Sequence, residues 1–138
     1  MVANTAPIFG DTINDSWSGI ITSADTSFSA PSTAGVLCFT AGVDGAMLFR
    51  LLAKAIGTNV QTVLRIFVNN GSTVATAGNN CLIKEITLPA TTSTANAATS
   101  TDIEVALNLK MVAGHRIYVA IGTAVSAGWN IFAEGADY

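Results

Sequence analysis

His115 is the only histidine of this 138-residue chain, and so the first residue to question for acid–base or metal chemistry. A general base needs a carboxylate or a nucleophile held beside it, and a histidine metal site needs further ligands at a defined spacing. The surrounding stretch, NLKMVAGHRIYVAIG (108–122), supplies neither. It joins two alternating apolar runs through Ala113-Gly114, which places His115 on the solvent side of a bend between two strands. Cys38 and Cys81 lie in apolar runs with no cysteine or histidine at ligand spacing. Burial as small free hydrophobes accounts for both, with a cross-sheet disulfide as the alternative. Asp11 and Asp15 lie near each other in sequence and Asp25 and Asp44 fall at loop positions, but loop carboxylates are usually solvated and calcium requires more oxygen ligands in a tight cluster. Nothing selects a glycosidase-type pair among the nine acidic residues. The chain has no Gly-x-Ser-x-Gly elbow, no His-Glu-x-x-His and no phosphate-cradling glycine loop. The expectation is a protein that is not an enzyme, with no catalytic residues, no cofactor and no metal.

Aromatic side chains offer binding instead of catalysis. Trp17, Tyr118, Trp129 and Tyr138 raise the possibility of a sugar-binding rim, because β-sandwiches that bind carbohydrate expose rings beside Asp or Asn. Tyr118 falls on the outward register of its strand, and Trp129 follows Gly128 at a strand start. The alternative is that these rings pack at subunit contacts, where large aromatics carry much of the binding energy. Packing is the favoured reading, and Tyr118 and Trp129 are the aromatic candidates for such a contact.

The elements that would position these residues are strands. Trp17–Thr22 reads as one short strand, 35–42 as a second, and 80–89 as another stopped by Pro89. Residues 46–56 fit both a helical and a looser alternating pattern. The β-branched run VQTVLRIFVNN (60–70) beside it favours a strand pair joined through Gly57-Thr58-Asn59. That second strand closes on Asn70-Gly71, the signal for a type I′ hairpin turn. In DIEVALNL (102–109), Ile103, Val105, Leu107 and Leu109 face inward. In RIYVAIG (116–122), Ile117, Val119 and Ile121 do the same, and GWNIFAEG (128–135) is the last strand. About eight strands without a credible helix predict an all-β, antiparallel sandwich. It forms one domain over 17–138, preceded by an extended segment at 1–16 suited to lie on a neighbouring subunit.

Charge content sharpens the picture. Charged residues make up 11 % of the chain, against about 25 % in an ordinary soluble domain. The net charge is −3 and the six basic residues are scattered, which argues against nucleic acid as a partner. No apolar run is long enough for a membrane helix and no secretory signal is visible, so synthesis and folding in a cytosol are expected. Several strands are apolar on both faces, where a half-solvated antiparallel strand alternates cleanly. In 60–69, Leu64, Ile66 and Val68 take one face, which leaves Val63 and Phe67 beside Arg65 on the other. Either loops or another subunit must cover that outer face. Low charge favours the subunit, so Val63 and Phe67 join Tyr118 and Trp129 as interface candidates.

The stretches AIGTNVQTVLRIFVNNGS (55–72), ITLPATT (86–92) and AGHRIYVAIGTAVSAGW (113–129) resemble small β-sandwich proteins of tailed bacteriophages. The strand–Ala-Gly–polar–strand ending is also similar to jelly-roll modules of the trimeric tumour-necrosis-factor/C1q type and of phage capsid decoration proteins. His115 departs from that ending, in which an acidic residue commonly follows Ala-Gly. The resemblance covers about half the chain and carries no functional residues with it. It implies a jelly-roll-like virion structural protein that assembles with itself, as a trimer, and decorates or cements the lattice of a phage major capsid protein. A tail or neck component and a carbohydrate- or host-receptor-binding module are the alternatives.

Overall fold

The computed structural model describes residues 10–138. Eight strands form two four-stranded antiparallel sheets packed face to face. They are β1 (Thr12–Ile21), β2 (Val36–Thr40), β3 (Ala46–Ala55), β4 (Thr62–Asn69), β5 (Asn80–Leu88), β6 (Ile103–Met111), β7 (Arg116–Ile121) and β8 (Trp129–Asp137). Strand order is β1-β8-β3-β6 in sheet A and β2-β7-β4-β5 in sheet B. The pairs β1/β8, β2/β7, β3/β6 and β4/β5 are those of one long hairpin of paired strands wound around a core. That winding is the jelly roll, so the sandwich expected from the alternation is the fold. The only helical element among the described residues is a single turn, Ala77–Asn79, and no helix is long and apolar enough to cross a membrane.

The core fills the space between the sheets. Leu48, Leu51, Val105, Ile131 and Trp129 come from sheet A, and Phe39, Leu64, Ile66, Ile117, Val119 and Ile121 from sheet B. The inward positions read from β6 and β7 are the inward positions found. Residues 46–55 are a strand because alternate residues Ala46 and Leu48, then Leu51, Ala53 and Ala55 after a bulge, are all buried on one face. A helix would have buried a stripe instead.

Four expectations need correction. The first strand begins at Thr12, not Trp17, and residues 12–17 pair with the chain's own β8. Thr12–Ser16 therefore lie on this subunit's sheet, and the rest of the expected N-terminal extension, residues 1–9, lies outside the described residues. Second, β3 and β4 are not a hairpin but belong to different sheets. Alternation identifies a strand without identifying its neighbour. Here Asn59 decides the crossing: its buried amide donates to Gly57 O and Gly128 O and accepts from Ala127 N and Gly128 N. Third, Asn70-Gly71 does not close a two-residue turn. Gly71 has a positive φ of 90° but Asn70 does not, and a ten-residue loop, 70–79, intervenes before β5. Asparagine side chains shape that loop: the Asn69 carboxamide oxygen accepts from Gly71 N, Asn70's accepts from Ser72 N, and Asn80 Nδ2 donates to Val74 O and Thr76 O. Finally, Cys81 is exposed whereas Cys38 is buried, and both are free. They sit on the opposite edge strands β5 and β2, roughly 14 Å apart at three strand spacings, beyond disulfide reach.

Candidate binding surfaces

The outer face of sheet B is already covered at its centre, along β4, although Leu37 on the β2 edge stays exposed. Val63, Arg65, Phe67 and Asn69 alternate outward along β4, and Tyr118 and Leu82 stand opposite Phe67 on the neighbouring strands. Phe67 is 0 % exposed although it lies outside the inter-sheet core. The chain segment 22–35 crosses this face as a strap. Asp25 N donates to Ile121 O, Arg65 Nη1 donates to Asp25 O, and Asn80 Nδ2 donates to Ser29 O. Phe28 lies on the Arg65 guanidinium, 4.0 Å from Cζ to ring centroid, and Arg65 Nε reaches Glu85 at 2.9 Å.

One carboxylate organises the strap. Asp25 is buried, and its oxygens accept from Ser27 N, Thr33 N and Ala34 N at 2.9–3.0 Å. Burial acts to raise its pKa, but the converging backbone N–H groups outweigh it and hold the carboxyl below its ordinary value. A short, polar stretch with no strand pattern thus becomes a fixed cover through one buried carboxylate and the buried Arg65 guanidinium beneath it.

This places the interface candidates. Phe67 and Trp129 are both 0 % exposed within the chain itself, so neither is open to another subunit. Phe67 is on the outward register as expected, but a loop of its own chain covers it. Trp129 points into the core, where its Nε1 has no hydrogen-bond partner. Val63 and Tyr118 are half-buried along the same strapped face. Tyr118 and Trp129 do not share an exposed rim, the alternative to the subunit contact expected of them.

Among the described residues no segment crosses the outer face of sheet A. Registers across the four strands order it in rows: Ile13–Ala136–Met47–Lys110, then Asp15–Glu134–Arg50–Ala106, then Trp17–Phe132–Leu52–Glu104, then Ile20–Asn130–Lys54. Trp17 is 62 % exposed, and its ring lies near-parallel to Phe132 at 14°, with centroids 6.4 Å apart. Arg50 bridges Glu134 at 2.6 Å and Glu104 at 3.3 Å, and Lys54 pairs with Asp102 at 2.9 Å. Between β3 and β6 these groups border a shallow cleft of about 420 Å³ floored by Leu52 and Ala53.

Two features of β1 hid this face in the sequence. Ile13, Asp15 and Trp17 alternate as a core-facing set would, yet they point to solvent, while Asn14 and Ser18 turn inward to bond Thr40 O, Asp137 and Ile131 N. A bulge at Ser18-Gly19 then adds one residue, with Gly19 at φ 73°, and brings Ile20 onto the same face as Trp17.

A second exposed surface lies at the end of the sandwich carrying the β2–β3 and β6–β7 loops. Hydrogen bonds Ala41 N to His115 O and Gly114 N to Ala41 O tie these loops together. Val43 and Val112 at their tips are 91 % and 66 % exposed. His115 is half-buried in the turn closed by its N–H on Val112 O, with Gly114 at φ 75° supplying the bend. No group of three or more His, Cys, Asp or Glu residues converges on a metal position among the described residues. No family model, no curated protein and no solved structure matches the chain.

Proposed function

We propose that this chain is a non-enzymatic structural protein of a bacteriophage virion, a decoration or cement subunit that sits as a homo-oligomer, a trimer, on the major capsid protein lattice. The observation that carries the proposal is the apolar loop end. Val43 and Val112 stand exposed on two loops tied to each other, on a protein with unusually few charges, a combination expected of a surface that is covered in its working state. Jelly rolls recur among capsid proteins because paired strands and short loops make a compact, stiff building block. The sequence likeness to phage β-sandwich proteins supports the same reading. On it, the protein is made in the host cytoplasm and ends on the capsid surface.

The test is light-scattering mass on a size-exclusion column, with and without parent capsids stripped of this protein. The expected result is an oligomer that comigrates with capsids, and a Val43→Asp/Val112→Asp double variant that folds but no longer comigrates. Native protein that leaves stripped capsids bare would end the proposal. A 14.1 kDa monomer at micromolar concentration that still docks would remove the trimer alone.

A further inference from the structure

We infer that the outer face of sheet A is a binding site for a neutral oligosaccharide, seated along the row Trp17–Phe132–Leu52. This site is separate from the loop end proposed to meet the capsid. A pyranose ring has an apolar C–H face and a rim of hydroxyls, so its receptor needs an exposed aromatic surface with hydrogen-bonding groups on both sides. The registers of sheet A supply that order. The central row is apolar across three strands, and Trp17 is 62 % exposed. Asp15, Glu134 and Arg50 flank it on one side; Asn130, Lys54 and Asp102 flank it on the other, and Glu104 closes the far end. Four strands span roughly 14 Å, enough for a short chain of sugars instead of a single ring. The cleft at the Leu52 end, about 420 Å³, is within the roughly 300–1,000 Å³ usual for small-ligand sites.

Charge selects the ligand class. Four carboxylates (Asp15, Asp102, Glu104, Glu134) stand against two cations (Arg50, Lys54), and both cations are engaged in ion pairs. An acidic sugar on the Trp17 row would meet an excess of negative charge; the cations without a carboxylate partner stand away from it, Lys110 in the Ile13 row and Lys84 at the β6 edge, where its Nζ donates to Ala106 O. A simple cation would meet Arg50 and Lys54 in the middle of the face. Neutral hydroxyls match both kinds of group, since carboxylates accept from them and Arg50 and Lys54 donate to them. The Arg50 and Lys54 bridges also hold these side chains in place before a ligand arrives, which lowers the ordering cost of binding.

The two tryptophans make the test direct, because Trp129 is fully buried and Trp17 is exposed. The full chain is titrated with chitotriose, cellotetraose and maltotetraose as neutral probes and with sialyllactose as the acidic one. The readouts are tryptophan emission and its quenching by acrylamide. At least one neutral probe is expected to give a saturable blue shift with protection from quenching, and sialyllactose none. Trp17→Ala should abolish the signal, and Glu104→Gln should weaken binding about tenfold, the size of one lost strong contact. Both side chains are exposed, so both variants should keep the native melting transition; should Trp17→Ala not, Glu104→Gln carries the test. No saturable change with any neutral probe up to about 10 mM, above the range of weak single-site binding, would overturn the assignment. So would an unchanged response in Glu104→Gln, or protection of Trp17 that rises with protein concentration alone, which would identify the face as a contact between copies.

Discussion

The two outer faces of this sandwich began with the same sequence signature and ended differently. On sheet B, Phe67 and Arg65 point away from the core, and the strap 22–35 covers them so fully that Phe67 has no exposure. On sheet A, Trp17, Phe132 and Leu52 also point away from the core, and among the described residues no segment crosses them. An outward apolar residue is therefore no guide by itself to where a partner binds. The difference lies in whether the chain carries its own cover and a means of fixing it. Sheet B has one in Asp25, whose carboxylate gathers three backbone N–H groups, and in Arg65, which Phe28 caps.

The largest effect that separates the faces should come from aromatic truncation. Phe67→Ala should cost about 3–5 kcal/mol in urea melts, the scale of a buried ring lost to a cavity. Trp17→Ala should cost about 1 kcal/mol or less, its stacking on Phe132 being the main loss. Equal costs would erase the distinction between a covered and a bare face.

Next in size is the strap's fastening. Asp25→Ala and Arg65→Ala should each cost about 1–3 kcal/mol, because each leaves buried hydrogen-bonding groups without partners. Hydrogen exchange should accelerate across 22–35 far more than in β3 or β8. The same fastening gives a pH dependence. Because the folded Asp25 pKa lies below the ordinary 3.8, its stabilisation is complete above that value and is lost as pH falls through the lowered one. Acid should therefore speed exchange in the strap before the sheets open, and Asp25→Asn should remove that step.

The smallest effect is chemical. Cys81 should react with a thiol reagent in the native protein, while Cys38, whose thiol burial pushes up to about 12, should react only on unfolding. Titration should thus count one accessible thiol before denaturation and two after. Two at once would mean that β2 is not a closed edge.

How much of this was legible beforehand follows from what each residue pattern encodes. Strict alternation in β6 and β7 fixes which side chains face in, because a strand's period is two and one face is buried. The same alternation is silent on partnership, so β3 and β4 looked like a hairpin until the buried Asn59 network carried the chain from one sheet to the other. Bulges defeat alternation outright. Cys38 shifts the register of β2, Ile83 that of β5 and Ser18-Gly19 that of β1, and each reassigns the residues beyond it. Trp17 was visible as an aromatic but not as the exposed one, since its strand wears its apolar residues outward. Trp129, read as an interface candidate after Gly128, is core. The strap could not be read at all, because its order depends on distant contacts from Asp25 to Ile121 and from Arg65 back to Asp25.

Hydroxyl-radical footprinting of the native protein, read residue by residue by mass spectrometry, tests the contrast between the faces most directly. Oxidation should be strong at Trp17 and Ile13 and absent at Phe67 and Trp129, with Phe67 becoming reactive in Asp25→Ala as the strap loosens. Oxidation of native Phe67 at a rate close to that of Trp17 would contradict the account, for it would mean that sheet B is as open as sheet A.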